Sequence, residues 1–157
     1  MAKVKITDRD MGWESIKQEL EKLGKMSVKV GIVEGSGEID GVDIAYYAAV
    51  NEAGYEDETG KIRIPSRPFI RSWVDNNENQ IRAFMQSVFR RVLAGQLSAE
   101  EAMRLIGEFA QAGIRKNITQ GTFEPNAEST IRQKGSSRPL IDTGTMRNSI
   151  RYEVVKK

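Results

Sequence analysis

Two amphipathic segments joined by a very short link constrain this chain more than any other feature. Apolar residues recur at helical spacing over residues 69–94, with a polar interruption at 75–78, and the same spacing returns in the segment that follows. Gly95 ends the first segment, and Ser98 with Glu101 forms a capping box that starts the second. Because so short a link brings consecutive helices back against each other, the sequence predicts a long antiparallel helix pair.

Shorter elements are predicted on either side of this pair. They are a helix from an N-cap at Asp10 to Gly24, a strand over 28–33, a short helix over 44–51 and a final strand over 149–155. Residues 55–64 are predicted to form an extended hairpin or arm outside the core. Residues 121–138, rich in Gly, Pro, Asn, Ser and Gln, are predicted to be a flexible loop that a partner would order. The predicted fold class is α+β, with a small, mainly antiparallel sheet packed against the helix pair.

A length of 157 residues suits one compact domain. Its predicted parts are an N-terminal helix (1–25), a strand, acidic loop, short helix and arm (26–64), the helix pair (65–120), the flexible loop (121–138) and a C-terminal turn and strand (139–157). No stretch approaches the roughly 18–20 apolar residues that cross a bilayer, and the N-terminus is unlike a secretory signal. We therefore expect a protein made in a cytoplasm, without a membrane partner.

The sequence contains neither cysteine nor histidine. This excludes disulfides, thiolate nucleophiles, zinc–thiolate sites and iron–sulfur clusters. It also removes the commonest general base and the commonest ligand of transition metals. We therefore expect a protein that is not an enzyme and that needs no cofactor or metal.

The small net charge of +2 hides an asymmetry along the chain. Residues 1–60 hold 7 basic and 13 acidic side chains, whereas residues 61–157 hold 17 basic and 9 acidic ones. Such polarity is typical of subunits that meet like subunits or oppositely charged partners. A solvated acidic loop beside an unrelated basic tail would give the same pattern, so charge alone leaves both interpretations open.

Three segments stand out by their order and separation. They are residues 48–54 (AAVNEAG), 64–71 (IPSRPFIR) and 138–150 (RPLIDTGTMRNSI). Each is a weak signal alone, since Asp-Thr-Gly also occurs in aspartic proteases. Taken in order, they resemble the virion-morphogenesis proteins of tailed bacteriophages, a family of tail-completion and head–tail joining subunits. The resemblance extends over residues 26–157.

The resemblance implies a structural, non-enzymatic virion protein that completes the tail or joins the tail to the head. It implies a ring of six or twelve copies around the DNA channel of the phage neck, after synthesis in the host cytoplasm. The implied partners are further copies of the chain, the head–tail adaptor or connector, and tail terminator or tail tube proteins. Transient, non-specific contact with the genomic DNA in the channel stays open.

The candidate partner-binding residues lie in the second and third of these segments. They are Arg67, Arg71, Arg138, Asp142 and Arg147. Pro65 and Pro68 predict a rigid elbow before the long helix. Arg67 and Arg71 are also predicted to pair with acidic groups of a neighbouring subunit, because arginine suits bidentate recognition of carboxylates. The two roles are compatible.

Asp142 admits a second interpretation. Asp142-Thr143-Gly144 could indicate acid catalysis, because aspartic proteases pair two carboxylates. A single copy of this motif could act only in a dimer that brings two copies together. In addition, Arg147 places a cation where an aspartic protease would have an apolar strand. We instead expect Asp142 or Thr143 to cap a short helix at 145–148.

The two charged regions raise two further possibilities. The acidic loop could hold a hard cation through Glu38, Asp40 and Asp43, although their spacing does not match a calcium loop, or it could repel DNA from the wall of a channel.

The basic C-terminal half defines the alternative function, a small DNA-binding or regulatory protein. Its cations are Arg132, Lys134, Arg138, Arg147, Arg151, Lys156 and Lys157. The absence of interleaved aromatic residues and of a helix-turn-helix pattern argues against sequence-specific binding.

Overall fold

The computed structural model describes residues 12–157, apart from the side chain of Lys134. In chain order the elements are α1 (Trp13–Gly24), β1 (Met26–Gly31), β2 (Glu38–Ile39), β3 (Val42–Asp43), α2 (Ile44–Ala53), β4 (Tyr55–Glu56), β5 (Ile62–Ile64), α3 (Arg71–Asn76), α4 (Glu78–Leu93), α5 (Ala99–Gln120), α6 (Glu128–Lys134), α7 (Thr145–Asn148) and β6 (Arg151–Lys156). The predicted α+β class is confirmed. The N-cap predicted at Asp10 lies outside the described residues.

The main sheet joins the first and the last strand of the described chain. Strands β1 and β6 pair antiparallel, with Met26 opposite Lys156 and Gly31 opposite Arg151. Helix α5 covers this pair, and its residue Gly107 lies against the ring of Tyr152, which a Cβ at position 107 would approach to 2.3 Å. The predicted sheet of distant strands packed against a helix is therefore confirmed.

Helices α4 and α5 pack together as predicted. Val88 and Val92 of α4 are buried against Ala102 of α5. At the link, the Ser98 hydroxyl accepts from the Glu101 amide at 3.2 Å, and the Glu101 carboxylate accepts from the Ser98 amide at 2.8 Å. The predicted capping box is confirmed, and its hydrogen bonds hold the pKa of Glu101 below the ordinary value.

The prediction of a single helix over residues 69–94 is wrong, because the helix is interrupted at Asn77, between α3 and α4. The side-chain amide of Asn77 donates to the carbonyl oxygen of Trp73 at 2.8 Å. Asparagine competes in this way with the helical hydrogen bonds of the backbone. The polar interruption at 75–78 was the sequence signal of this break.

The loop predicted over residues 121–138 is also not free of regular structure, since α6 lies within it. This helix follows an extended stretch and ends at Gly135, whose φ of +66° suits a glycine C-cap. Only Ile131 supplies an aliphatic side chain to α6, so there was no apolar periodicity to reveal it.

The largest core cluster lies between α2, α3, α5 and the segment that leads into β6. Its buried members are Ile44, Ala48, Phe69, Trp73, Ile114, Ile118, Leu140, Met146 and Ile150. Gly113 lets α5 approach the Trp73 indole, which a Cβ there would meet at 2.3 Å. Among the described residues, no helix combines the length and apolar character that a bilayer crossing needs.

Candidate functional site

The three segments singled out in the sequence meet in one place. Ala48 comes from the first, Phe69 from the second, and Leu140, Met146 and Ile150 from the third, and all five are buried in the same cluster. Residues far apart in the chain thus form one structural unit. We call residues 65–71 the elbow, and residues 55–64, which include β4 and β5, the hairpin.

Arg67 is the centre of the elbow and is only 7% exposed. Its Nε donates to the carbonyl oxygen of Glu124 at 2.8 Å, and its Nη2 donates to that of Pro125 at 3.1 Å. Weaker bonds of 3.3 Å run to the side-chain oxygens of Asn51 and Asn126. The guanidinium therefore fastens the extended chain at 124–126 to helix α2.

This environment explains the electrostatics of Arg67. Burial lowers the pKa of its guanidinium, whereas nearby Tyr47 and Glu124 act in the opposite direction. The pairing of Arg67 with a neighbouring subunit stays a prediction that this geometry does not favour, because Nε, Nη1 and Nη2 all bond to oxygen atoms of the same chain. The predicted role as a rigid elbow fits these contacts.

Glu52 fixes the other side of the elbow. Its two carboxylate oxygens accept from the backbone amides of Ile70 and Arg71, each at 2.9 Å, just before helix α3. Its carbonyl oxygen accepts from the Ser66 hydroxyl at 2.9 Å. Glu52 belongs to the first of the three segments but was not among the predicted site residues.

Gly54 connects α2 to the hairpin in a conformation that glycine alone adopts readily. Its φ is +82° and its ψ is 170°. A Cβ at this position would lie 2.9 Å from the amide nitrogen of Ser66 and 3.1 Å from the carbonyl oxygen of Ile64. The root of the hairpin is thus packed backbone against backbone.

The other predicted site residues are more dispersed. The side chains of Arg71 and Arg138 are exposed. The backbone carbonyl oxygen of Arg138 accepts from the side-chain amide of Asn126 at 3.2 Å. Arg147 is half-buried and donates to Asn148. Because Asn126 also accepts from Arg67, one amide side chain links the second segment to the start of the third.

Asp142 is exposed and makes no hydrogen bond within residues 12–157. The cap of α7 comes instead from Thr143, whose hydroxyl accepts from the Thr145 amide at 3.3 Å, and Gly144 precedes the helix with a φ of +80°. Asp142 shares a shallow groove of about 380 Å³ with Asp40. In the part of the chain that is described, no group of three or more acidic residues is placed to hold a metal ion.

The acidic loop uses one of its carboxylates to build structure. Asp43 caps α2 by accepting from the amide of Ala45 at 2.7 Å and from that of Tyr46 at 3.3 Å. It also accepts from the Gly35 amide at 2.9 Å, and this bond is the largest of the effects that lower its pKa. Asp43 therefore has an assigned role that does not involve a cation.

The hairpin predicted at 55–64 is confirmed, with Tyr55 opposite Ile64 and Glu56 opposite Ile62. Tyr55 is 52% exposed and Ile62 is 61% exposed. The tip is organised by Asp57, whose carboxylate accepts from the Thr59 and Lys61 amides and from the Arg63 side chain. The tip is thus held by hydrogen bonds, while the side chains of Tyr55 and Ile62 are open to solvent.

Helix α2 also exposes apolar side chains. Tyr46, Ala49 and Ala53 are exposed and recur at helical spacing, on the side away from the buried residues Ile44 and Ala48. A helix that is apolar all round is normally enclosed on all sides. The outer face of α2 therefore has the composition of a surface that a partner covers.

The basic C-terminal half is mostly solvated. Lys156 pairs with Glu100 at 2.7 Å, and Arg132 lies 3.8 Å from Glu128. Arg138 and Arg151 are exposed and form no ion pair within the described residues. Part of the positive charge is therefore compensated locally.

Comparisons of the chain with models of protein families, with curated proteins and with solved structures find no match. Fold and site define the chain as a small α+β protein whose hairpin is packed at its root and exposes Tyr55 and Ile62. The resemblance to phage virion-morphogenesis proteins rests on the three segments alone.

Proposed function

We propose that the chain is a structural subunit of a tailed bacteriophage, which completes the tail or joins it to the head as one member of a ring in the neck. The resemblance of the three segments supports this proposal, as does their convergence in one core cluster. Further copies of the chain, the head–tail adaptor or connector, and the tail terminator or tail tube proteins are its partners.

The hairpin is the observation that carries the proposal. A two-stranded hairpin is marginally stable in water on its own, yet here its root is fixed by Gly54 and the elbow while Tyr55 and Ile62 face solvent. Exposing large apolar side chains in this way forgoes the stabilisation of their burial unless a partner covers them. The arrangement suits a subunit that is completed by assembly.

Burial at contacts between subunits is the chemistry that this function needs. Apolar area removed from water contributes about 25 cal/mol per Å², and repeated head-to-tail contacts close into a ring when the rotation between copies allows it. Tyr55 and Ile62, together with the outer face of α2, supply apolar area for such a contact. No catalytic group is required.

The test is the size and shape of the purified full chain. Light scattering after size exclusion and negative-stain electron microscopy should show a ring of six or twelve copies. Ile62→Ser should reduce assembly, whereas Val33→Ser, at an apolar residue that is 59% exposed outside the hairpin, should not. A chain that stays monomeric at all accessible concentrations, or an equal response to both substitutions, would contradict the proposal.

The second candidate is a small DNA-binding or regulatory protein, favoured by the exposed cations Arg138 and Arg151. Binding through phosphate contacts loses affinity steeply as salt rises. A filter-binding assay at low salt, followed by a salt titration, measures this directly. Absence of retained DNA at low salt would eliminate this candidate.

A further inference from the structure

An open cleft, which we call the α5 cleft, lies between helix α5 and the junction of α3 with α4. It measures about 350 Å³, and its apolar lining includes the rings of Trp73 and Phe109, whose centroids are 6.0 Å apart. Its rim is polar and carries Asn77, Gln80, Lys116, Asn117 and Gln120. An apolar lining with a few polar groups is the usual composition of a ligand-binding cleft.

The indole N–H of Trp73 is a donor without an acceptor. Trp73 is only 8% exposed, and within the described residues its Nε1 donates to no oxygen atom. The one side-chain nitrogen or oxygen of the described chain that is fully enclosed without a partner is Arg115 Nε, so the Trp73 nitrogen is open to the cleft that Trp73 lines. Since buried indole N–H groups usually find a partner, this donor is available to an acceptor on a ligand.

Two asparagines on the rim have the opposite need. The Asn77 amide nitrogen donates to the carbonyl oxygen of Trp73 at 2.8 Å. That of Asn117 donates to the carbonyl oxygen of Phe69 at 2.8 Å and to the Ser72 hydroxyl at 2.9 Å. Because a carbonyl oxygen only accepts, these bonds fix which end of each amide is the nitrogen. The two amide oxygens receive no hydrogen bond within the described residues, so both are free to accept from a ligand.

These groups define the class of ligand. A fully ionised anion offers no N–H or O–H group to the two amide oxygens, and a cation would face Lys116 and the indole N–H. An apolar ligand would leave polar groups without partners, which opposes binding. The cleft is satisfied by a neutral group that both accepts and donates. A peptide amide does so through its C=O and N–H, and because it is planar it also packs flat against an aromatic ring.

We propose that the α5 cleft binds an extended peptide segment of a partner protein through its backbone. The indole N–H of Trp73 donates to a peptide carbonyl oxygen, and the amide oxygens of Asn77 and Asn117 accept from peptide N–H groups. The segment is extended, because the N–H and C=O groups of a helix already bond to one another. This contact goes beyond the ring function and does not depend on it, since the hairpin does not line the cleft.

The indole N–H signals in an NMR spectrum of the full chain test the proposal, because the chain has two tryptophans, Trp13 and Trp73. The protein is titrated with a tetra-alanine peptide that is capped at both ends, which offers backbone amides and no charged group. The expected result is a saturable shift of the Trp73 indole signal at millimolar peptide, with no comparable shift at Trp13. The variant Trp13→Phe lacks one signal and so assigns the two.

Ala112 allows the cleft to be filled without removing a buried contact, because it is exposed and lines the cleft. Ala112→Leu should weaken peptide binding about tenfold, because the added side chain occupies the space of the peptide. Ala83→Leu is the matched control, since Ala83 is exposed on α4 and does not line the cleft. Urea unfolding of both variants checks that the fold is retained.

Glucose and maltose are titrated in parallel as neutral polyols. If they shift the Trp73 signal at lower concentration than the peptide does, the cleft takes sugars and the peptide proposal is wrong. It is equally wrong if the peptide gives no saturable shift, or if Ala112→Leu binds the peptide as well as Ala83→Leu does. Saturable binding that Ala112→Leu alone weakens supports it. Ring assembly is measured separately, by size and microscopy, so the two proposals fail independently.

Discussion

The elbow and the hairpin are neighbours in the chain with opposite physical character. In the elbow, Arg67 is buried and directs its donors to oxygen atoms of its own chain, and Glu52 accepts from two backbone amides. In the hairpin, the tip is satisfied by Asp57, but the apolar side chains of Tyr55 and Ile62 are exposed. The difference separates two tasks: the elbow stabilises the fold, and the hairpin is left for contacts beyond it. Removing a contact that fixes the elbow should therefore lower the free energy of unfolding more than truncating an exposed side chain of the hairpin.

The largest effect is expected for Arg67→Ala. The substitution leaves the carbonyl oxygens of Glu124 and Pro125 without their donor and opens a cavity, so the free energy of unfolding should fall by about 3 kcal/mol. Urea unfolding followed by circular dichroism measures this loss. Arg71→Ala is the matched control, because that side chain is exposed, and its effect should stay within about 0.5 kcal/mol. Equal losses of unfolding free energy in the two alanine variants would contradict the structural role of Arg67.

Gly54→Ala should have the next largest effect. The backbone at this position is in a region that costs other residues about 1–3 kcal/mol, and the added Cβ would also meet the backbone of Ser66. A loss of at least about 2 kcal/mol in urea unfolding is expected. Gly60, at the hairpin tip, also has a positive φ, of +76°, but nothing lies within 4 Å of its Cβ position. The matched control is therefore Gly60→Ala. Its loss should be about 1 kcal/mol, and a similar loss at both glycines would mean that the root is not closely packed.

Glu52→Ala should cost about 1–2 kcal/mol, in the range of a lost helix cap. The amides of Ile70 and Arg71 would then lack their acceptor. Glu52→Gln keeps one acceptor oxygen and should lose less. The exposed hairpin residue Glu56 supplies the comparison, since Glu56→Ala should change stability by no more than about 0.5 kcal/mol. If the two alanine variants unfold at the same urea concentration, Glu52 does not fix the elbow.

The sequence predicted local features better than distant ones. The capping box at Ser98 and the hairpin at 55–64 follow from rules that act over a few residues, and both are confirmed. Arg67 was predicted to pair with a neighbouring subunit because arginine suits bidentate recognition of carboxylates. Three of its acceptors lie 57 to 59 positions further along the chain, and a fourth, Asn51, lies 16 positions earlier, which no local pattern reveals.

Helix α6 was missed for a different reason. Its sequence has no apolar stripe, and what marks it is the weak pair of Glu128 and Arg132 one turn apart and the glycine at position 135. Such signals are also common in loops. The role of Glu52 was missed because a glutamate in the last turn of an Ala-rich helix gives no sign that it will cap another helix 18 positions later.

The smallest effect on global stability is expected at the hairpin tip, where it should appear as a local response to pH. The hydroxyl of Thr59, followed by other donors, holds the pKa of Asp57 below its ordinary value of 3.8. A carboxyl whose pKa is lowered by folding stabilises the folded form above its ordinary pKa, and this contribution is lost as pH falls through the lower, folded value. The tip should therefore be ordered at neutral pH and loosen below about pH 3.8.

The amide protons of Thr59 and Lys61 report this loosening, because both donate to Asp57 Oδ1. Their chemical shifts in an NMR titration should show an inflection below pH 3.8, while global unfolding by urea changes little between pH 5 and pH 7. In Asp57→Asn the inflection should disappear. If it persists in that variant, another carboxyl controls the tip. If Asp57→Asn also unfolds the whole chain, the hairpin is part of the cooperative core. The hairpin and the elbow would then not differ in their contribution to stability.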